Sequence, residues 1–244
     1  MVAGGWSPAQ AQAPGLQAKL ARALAAPGVS PSRTSALAVD LRTGEVVFEA
    51  GSGRPLAPAS AEKLAVSLAA LRLLGPGYRF RTEVVGDGVL AGRVWKGSLF
   101  IVGHGDPTLA GRDLRLLARE VAGWGIRRVT GRVVGDERHF DSRRDAPGWK
   151  PSFLGLESPP LSALSVDDLD VAGANGSSAA AARAFTAALE RRGVAVGGRP
   201  SSGRAPMSGI PLAQDLSEPL SAIVRTMNRE SDNYVSEMLL KELG

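Results

Sequence analysis

Apolar residues at Leu16, Leu20, Ala23 and Leu24 recur at helical spacing and predict a helix over 16–26, stopped by Pro27. Two β-like runs follow at 35–41 and 45–50, joined by Arg42-Thr43-Gly44, a turn with glycine where a positive φ is wanted. Residues 55–58 form an extended approach to a long apolar helix that starts at Ser60, runs through Leu64 to Leu74 and is broken by Gly75-Pro76-Gly77. The texture then changes. Short strands are predicted at 80–85, 89–95 and 98–102, then a loop at 103–107, an amphipathic helix at 113–124 and a strand at 129–134. A loop rich in Pro and Trp covers 147–160, a helix 179–192, and strand and loop 193–206. Helices at 219–229 and 234–243 flank the polar break Glu230-Ser231-Asp232. No internal repeat is visible. The pattern predicts an α+β or α/β chain in which an inserted α+β unit over 79–207 interrupts a body made of 14–78 and 208–244.

Composition narrows the class without identifying the chemistry. The chain has 244 residues, 44% apolar and 22% charged, which are globular values. No apolar run approaches the ~18 residues that span a bilayer, so membrane association is expected to be peripheral at most. The net charge of +5 raises a nucleic-acid reading. Its basic residues are nearly all arginine, however, spread through the chain among acids, and aromatics are only 5%, so a nucleic-acid partner is not expected. The absence of cysteine excludes disulfides and cysteine nucleophiles. His104 and His139 are far apart without a ligand-spaced partner and are read as structural; no metal and no cofactor are expected. Residues 1–13 read as a flexible N-terminus. Within them, Ala9-Gln10-Ala11-Gln12-Ala13 resembles the small-residue end of an export signal.

The candidate chemistry begins at Ser60. A serine hydroxyl is a poor nucleophile until a neighbour takes its proton. In Pro58-Ala59-Ser60-Ala61-Glu62-Lys63, positions i and i+3 share a helix face, so Ser60 and Lys63 can point together into a cleft. A partly desolvated lysine can serve as the base, because burial lowers an amine's pKa. The helix N-terminus adds N–H groups near a developing oxyanion. S-x-x-K alone is expected about once by chance in a chain of this length, and an N-capping Ser60 beside a solvated Lys63 is the plain alternative. Ser231-Asp232-Asn233 likewise reads either as an ordinary cap or as a second wall, with Ser231 relaying a proton to the leaving group and Asn233 holding the substrate backbone and orienting Lys63. The two motifs together form the S-x-x-K plus S-D-N signature of serine acyl transferases that react with β-lactams.

Across nearly its whole length the chain resembles the penicillin-binding protein 4 type of D-alanyl-D-alanine carboxypeptidase/endopeptidase, of class C and low molecular mass. The resemblance rests on Pro58 to Leu64, on Gly103-His104-Gly105-Asp106-Pro107-Thr108-Leu109, on Gly131 to Asp136 with Phe140-Asp141, on Pro159 to Ser165, and on Met227 to Asn233 followed by Glu237 to Leu240. It implies a β-lactamase/transpeptidase-like domain with a long α+β insertion between the two motifs. That insertion argues against a class A β-lactamase, whose motifs lie much closer together. It also implies that Ser60 attacks a D-Ala-D-Ala bond or cross-link of a peptidoglycan stem peptide, that Lys63 is the base, and that Ser231 and Asn233 complete the second wall. The resemblance implies further that penicillin and other β-lactams acylate Ser60 and that the protein works outside the cytoplasm, in the periplasm or cell envelope. Asp136 and Phe140 are expected where the insert approaches the substrate's diamino acid, the Asp136 carboxylate pairing with its amine; turn chemistry explains Asp136 as well.

One family element is missing from these residues. No K-T-G or K-S-G occurs, and Arg42-Thr43-Gly44 precedes Ser60 and reads as a hairpin tip. The sequence is therefore expected to be the N-terminal part of a longer protein, with weak or no peptidase activity by itself. The alternative is a catalytically incomplete fragment acting as a binding or scaffold module. The oligomeric state is left open.

Overall fold

The computed structural model describes residues 14–167 and 176–244. Residues 1–13, with the run read as the end of an export signal, and residues 168–175 lie outside the described residues. The chain divides into two compact units, Met1–Ala59 and Ser60–Gly244.

In the first unit, helix α1 (Pro14–Leu24) precedes an antiparallel hairpin of β1 (Ala36–Val39) and β2 (Val46–Ala50). The turn closes as an Asx turn, Asp40 Oδ1 accepting from the backbone N–H of Arg42 at 2.8 Å, with Gly44 at φ +77°. Gln17 Nε2 donates to the Val47 carbonyl at 3.2 Å and ties α1 to β2.

The second unit opens with α2 (Lys63–Leu73) and continues through β3 (Arg81–Gly86), β4 (Val89–Ala91), β5 (Val94–Lys96), β6 (Leu99–Gly103), α3 (Gly111–Gly123), β7 (Arg128–Val129), β8 (Val133–Asp136), α4 (Gly176–Arg191), β9 (Ala195–Val196), β10 (Ser201–Ser202), β11 (Ile210–Leu216), α5 (Leu220–Glu230) and α6 (Asn233–Leu243). Its main sheet has the order β10-β8-β6-β3-β11. The β6, β8 and β10 strands are parallel and joined by α3 and α4, while β3 and β11 run antiparallel at the other side. A smaller sheet has the order β4-β5-β7-β9.

Three expectations are corrected here. The strand predicted at 89–95 is a hairpin, because Gly92 at φ +60° turns the chain between β4 and β5. The strand predicted at 129–134 splits into β7 and β8, which belong to different sheets. And β11, past the predicted return at 207, adds to β3 of the α+β unit. It carries Pro211, which has no N–H to donate and is tolerated because β11 is an edge strand whose register slips between Pro211 and Ala213.

Two apolar cores result. One lies between the main sheet and helices α3 and α4, with Val84, Ile101, Leu117, Val133 and Phe185 fully buried. At this contact Gly135 has no room for a side chain: a Cβ there lies 2.0 Å from the Ser178 carbonyl oxygen. The other core gathers α2, α5 and α6 around Phe80, Met227 and Met238, and receives Phe140 and Leu161 from the segment that follows β8. This second core sets the relation between Ser60, at the head of α2, and Asn233, at the head of α6.

Candidate active site

Residues Ala59–Glu62 form a 3₁₀ turn, and the α-helix proper starts only at Lys63. The expected helix start at Ser60 is thus displaced by one tighter turn. This turn brings Ser60 next to Lys63, the first residue of α2. Ala59, just before it, has φ +47°, a left-handed conformation that disfavours a Cβ. Lys63 Nζ lies 3.1 Å from Ser60 Oγ. Lys63 is only 7% exposed, whereas Ser60 faces solvent. Ser60 makes no capping bond; among the described residues, its side-chain hydrogen bond is the one to Lys63.

The second wall comes from the break between α5 and α6. Ser231 ends α5 in the left-handed region (φ 57°, ψ 40°), and Asp232 caps α6 by accepting from Val235 N–H at 2.9 Å. Capping therefore falls to Asp232, and Asn233 is left to face α2. Its Oδ1 accepts from Lys63 Nζ at 2.6 Å. Its Nδ2 donates to Glu157 Oε2 at 3.2 Å. An amide whose donor side is spent on Glu157 has only its carbonyl oxygen to offer Lys63, so Glu157 fixes the orientation of Asn233. One turn along α2, Ser67 Oγ donates to the Lys63 carbonyl at 2.7 Å and accepts from Asn228 Nδ2 at 2.9 Å, pinning α2 to α5 beneath the site. Glu237, one turn beyond Asn233, is half-buried; burial, reinforced by Glu62, holds its carboxyl above the ordinary range.

Of the six residues singled out from the sequence, the structure joins Ser60, Lys63 and Asn233 in one hydrogen-bonded chain. Ser231 is exposed, and among the described residues its side chain makes no hydrogen bond with Ser60 or Lys63. Asp136 is used differently from the expectation of a free carboxylate awaiting an amine. It is buried, and both oxygens are occupied: Arg138 Nη2 lies at 2.6 Å, Arg138 Nε at 2.9 and 3.0 Å, and the backbone N–H groups of Arg138 and Ala205 at 3.0 and 2.7 Å. Phe140 packs in the second core, with its ring against Gly105, where a Cβ would lie 2.5 Å from it. Glu157 and Ser67 escaped the sequence reading, since no local pattern marks them; Asn228 lies within the Met227 to Asn233 stretch that carried the resemblance but was given no role there.

Burial alone raises the Asp136 carboxyl, but hydrogen bonds from Arg138 and Ala205 outweigh it, so Asp136 titrates below the ordinary value of 3.8. Its stabilisation is therefore complete above that value and is lost as pH falls through the lower folded value. Because Arg138 is half-exposed and can turn to water, Asp136→Asn is expected to cost about 2 kcal/mol at pH 7, less than for a fully buried pair. Denaturant unfolding at pH 7 and near pH 2 checks this. The difference between the two proteins should shrink at the lower pH; an unchanged difference contradicts the assignment.

The histidines, distant in sequence, meet in space with ring centroids 5.3 Å apart. His104 Nε2 lies 3.0 Å from Glu83, and His139 Nε2 lies 2.8 Å from Glu242, which also accepts from the Tyr78 hydroxyl at 2.6 Å. The cluster ties α6 to β3 and to the segment after β8.

The sequence profile of the D-Ala-D-Ala carboxypeptidase 3 (S13) family matches residues 16–172 and 168–244. The chain belongs to this family. A D-alanyl-D-alanine carboxypeptidase from Actinomadura sp. (strain R39) is 38% identical over 152 residues, covering 60% of this S13 chain and 28% of that protein. Carboxypeptidase DacB from Mycolicibacterium smegmatis (strain ATCC 700084 / mc(2)155) is 32% identical over 252 aligned residues, 94% of this chain and 52% of that one. The crystal structure of penicillin binding protein 4 (dacB) from Haemophilus influenzae superposes with a TM-score of 0.76 at 20% identity, covering 85% of this chain and 61% of that chain. This likeness shows a shared fold. The S13 chain spans between about a quarter and three fifths of the length of these three proteins.

Proposed function

We propose that this S13 chain carries the acyl-transfer residues of a serine D-Ala-D-Ala carboxypeptidase/endopeptidase that acts on peptidoglycan stem peptides and is acylated by β-lactams. The observation behind this reading is the buried Lys63 Nζ set between Ser60 Oγ, at 3.1 Å, and Asn233 Oδ1, at 2.6 Å. Asn233 Oδ1 holds Nζ in place and Ser60 Oγ lies within hydrogen-bond reach of it, the geometry a general base needs to take the Ser60 proton. Ser60 Oγ then attacks the carbonyl of the D-Ala-D-Ala bond, and Lys63 holds the proton while the tetrahedral intermediate forms. Collapse breaks the C–N bond. The departing amine takes a proton relayed through Ser231 from Lys63, which leaves an ester on Ser60. Water hydrolyses the ester, with Lys63 again accepting a proton.

In this reading Asn233 orients the base and Glu157 orients Asn233. Asp136 and Phe140 shape the segment after β8, with Asp136 held by Arg138. Residues 79–207 together with β11 form the inserted unit, and α2, α5 and α6 belong to the catalytic body. A peptidoglycan substrate places the protein outside the cytoplasm, in the periplasm or cell envelope. Among the described residues no helix is long and apolar enough to cross a membrane.

The test is covalent labelling by a fluorescent penicillin. Labelling that is lost in Ser60→Ala supports the reading. Labelling that persists in that variant refutes it.

A further inference from the structure

Away from Ser60, the second unit holds a cleft of about 550 Å³ between the loop after β6, the start of α3, the end of β11 and helix α5. Val235 also lines it. Val235 is two positions beyond Asn233, roughly 200° around α6, so the cleft and the serine cluster lie on different faces of that helix. Among the described residues, the charged side chains in its wall are Asp106, Asp113, Asp215 and Glu218, against Arg112 alone.

Among the described residues, Asp215 has no side-chain partner and Asp106 uses only one of its carboxylate oxygens. Asp106 is only 4% exposed. Its Oδ1 accepts from Thr108 N–H at 2.8 Å and Thr108 Oγ1 at 2.7 Å, while Oδ2 has no hydrogen bond among the described residues. Asp215 makes neither a side-chain hydrogen bond nor an ion pair among the described residues. Beside it stands Thr82, its partner across the β3–β11 ladder and therefore on the same sheet face. Thr82, just behind the lining, is 1% exposed, and its hydroxyl has no partner among the described residues. Arg112 is turned to Asp113, at 3.3 Å, and is largely in solvent. Residues 1–13 and 168–175 contain no Lys, Arg or His that could supply the missing charge. Burial, followed by repulsion from neighbouring acids, pushes the Asp106 and Asp215 carboxyls above their ordinary range. A bound cation offsets these shifts by favouring the charged carboxylates.

The cation is organic by geometry. Among the described residues no three His, Asp or Glu side chains are grouped to hold a metal ion. The remaining wall includes Leu116, Leu216, Ile223 and Met227, an apolar surface suited to methylenes. We propose that this cleft binds an alkylammonium group, a primary amine on an aliphatic chain, with the amine paired to Asp106 and Asp215 and the chain laid along Leu116, Leu216 and Ile223. This assignment does not depend on the acyl-transfer reading. The same chemistry is found in a free diamine and in the side chain of a lysine-type residue of a peptide.

Titration calorimetry of the folded chain tests the site, with 1,5-diaminopentane in one arm and Nα-acetyl-lysine methylamide in the other. Saturable one-site binding is expected, weakened at least tenfold by Asp215→Asn. That variant should fold, because the carboxylate it replaces has no hydrogen bond among the described residues; circular dichroism verifies this. Leu216→Lys, which sets its own ammonium in the cleft, is expected to abolish binding. Binding in one arm alone supports the site and identifies the source, free diamine or peptide side chain; binding in both supports the shared chemistry. No binding in either arm overturns the proposal. So does an equal response to NaCl at matched ionic strength, a response to MgCl₂ alone, or binding unchanged in both variants.

Discussion

Lys63→Met is expected to slow β-lactam acylation of Ser60 by about 10²–10⁴-fold, the range that a positioned general base contributes. Methionine has nearly the length of lysine and suits a slot that is 7% exposed, but it has no lone pair basic enough to take the Ser60 proton. It also leaves Asn233 Oδ1 without its 2.6 Å donor, so some loss of stability accompanies the loss of rate. Lys63→Arg separates the two effects. A guanidinium can donate to Asn233, but it does not deprotonate in a protein and cannot act as the base. Arginine is therefore expected to be as slow as methionine while recovering part of the stability. A time course of fluorescent penicillin incorporation gives the rates and thermal melts give the stability. Acylation at the parent rate in either variant removes Lys63 from the role of base.

Phe80→Ala is expected to cost about 3–5 kcal/mol, as for other buried aromatics cut back to alanine. Phe80 is fully buried, packs edge-to-face on Tyr78 with centroids 5.1 Å apart, and belongs to the core that holds α2 against α5 and α6. The cavity left behind lies beneath the helices that carry Lys63 and Asn233. Labelling of Ser60 should fall together with stability. Denaturant unfolding followed in parallel with labelling checks this; a loss below about 1 kcal/mol, the ordinary size of a point-mutant effect, contradicts the place given to Phe80.

How much of this was legible in the sequence depended on where each residue's partner lay. Helix α3 was expected at 113–124 and runs over Gly111–Gly123, since its apolar stripe repeats with the helical period and glycine ends it. Strand β11 was not seen. Pro211, Gln214 and Asp215 spoil any alternation, and the strand exists because β3 offers it a ladder. Ser60 and Lys63 were readable because they are three positions apart on one turn. Asn233 was readable because its motif is contiguous. Glu157 reaches the site only through the fold and carries no local signature. Asp136 was the instructive case. A carboxylate closing a strand has the same sequence appearance whether it awaits a substrate amine or is held by Arg138 two residues on, and only the hydrogen bonds distinguish the two.

The central claim is that Ser60 is the residue acylated, within a cluster formed by Lys63 and Asn233. Intact-mass analysis of the folded chain after prolonged exposure to saturating penicillin, followed by peptide mapping, tests it most directly. The account predicts a slowly formed single penicilloyl adduct per chain, located on the peptide that contains Ser60 and absent from Ser60→Ala. An adduct on another residue, or none in a chain that is demonstrably folded, would contradict it.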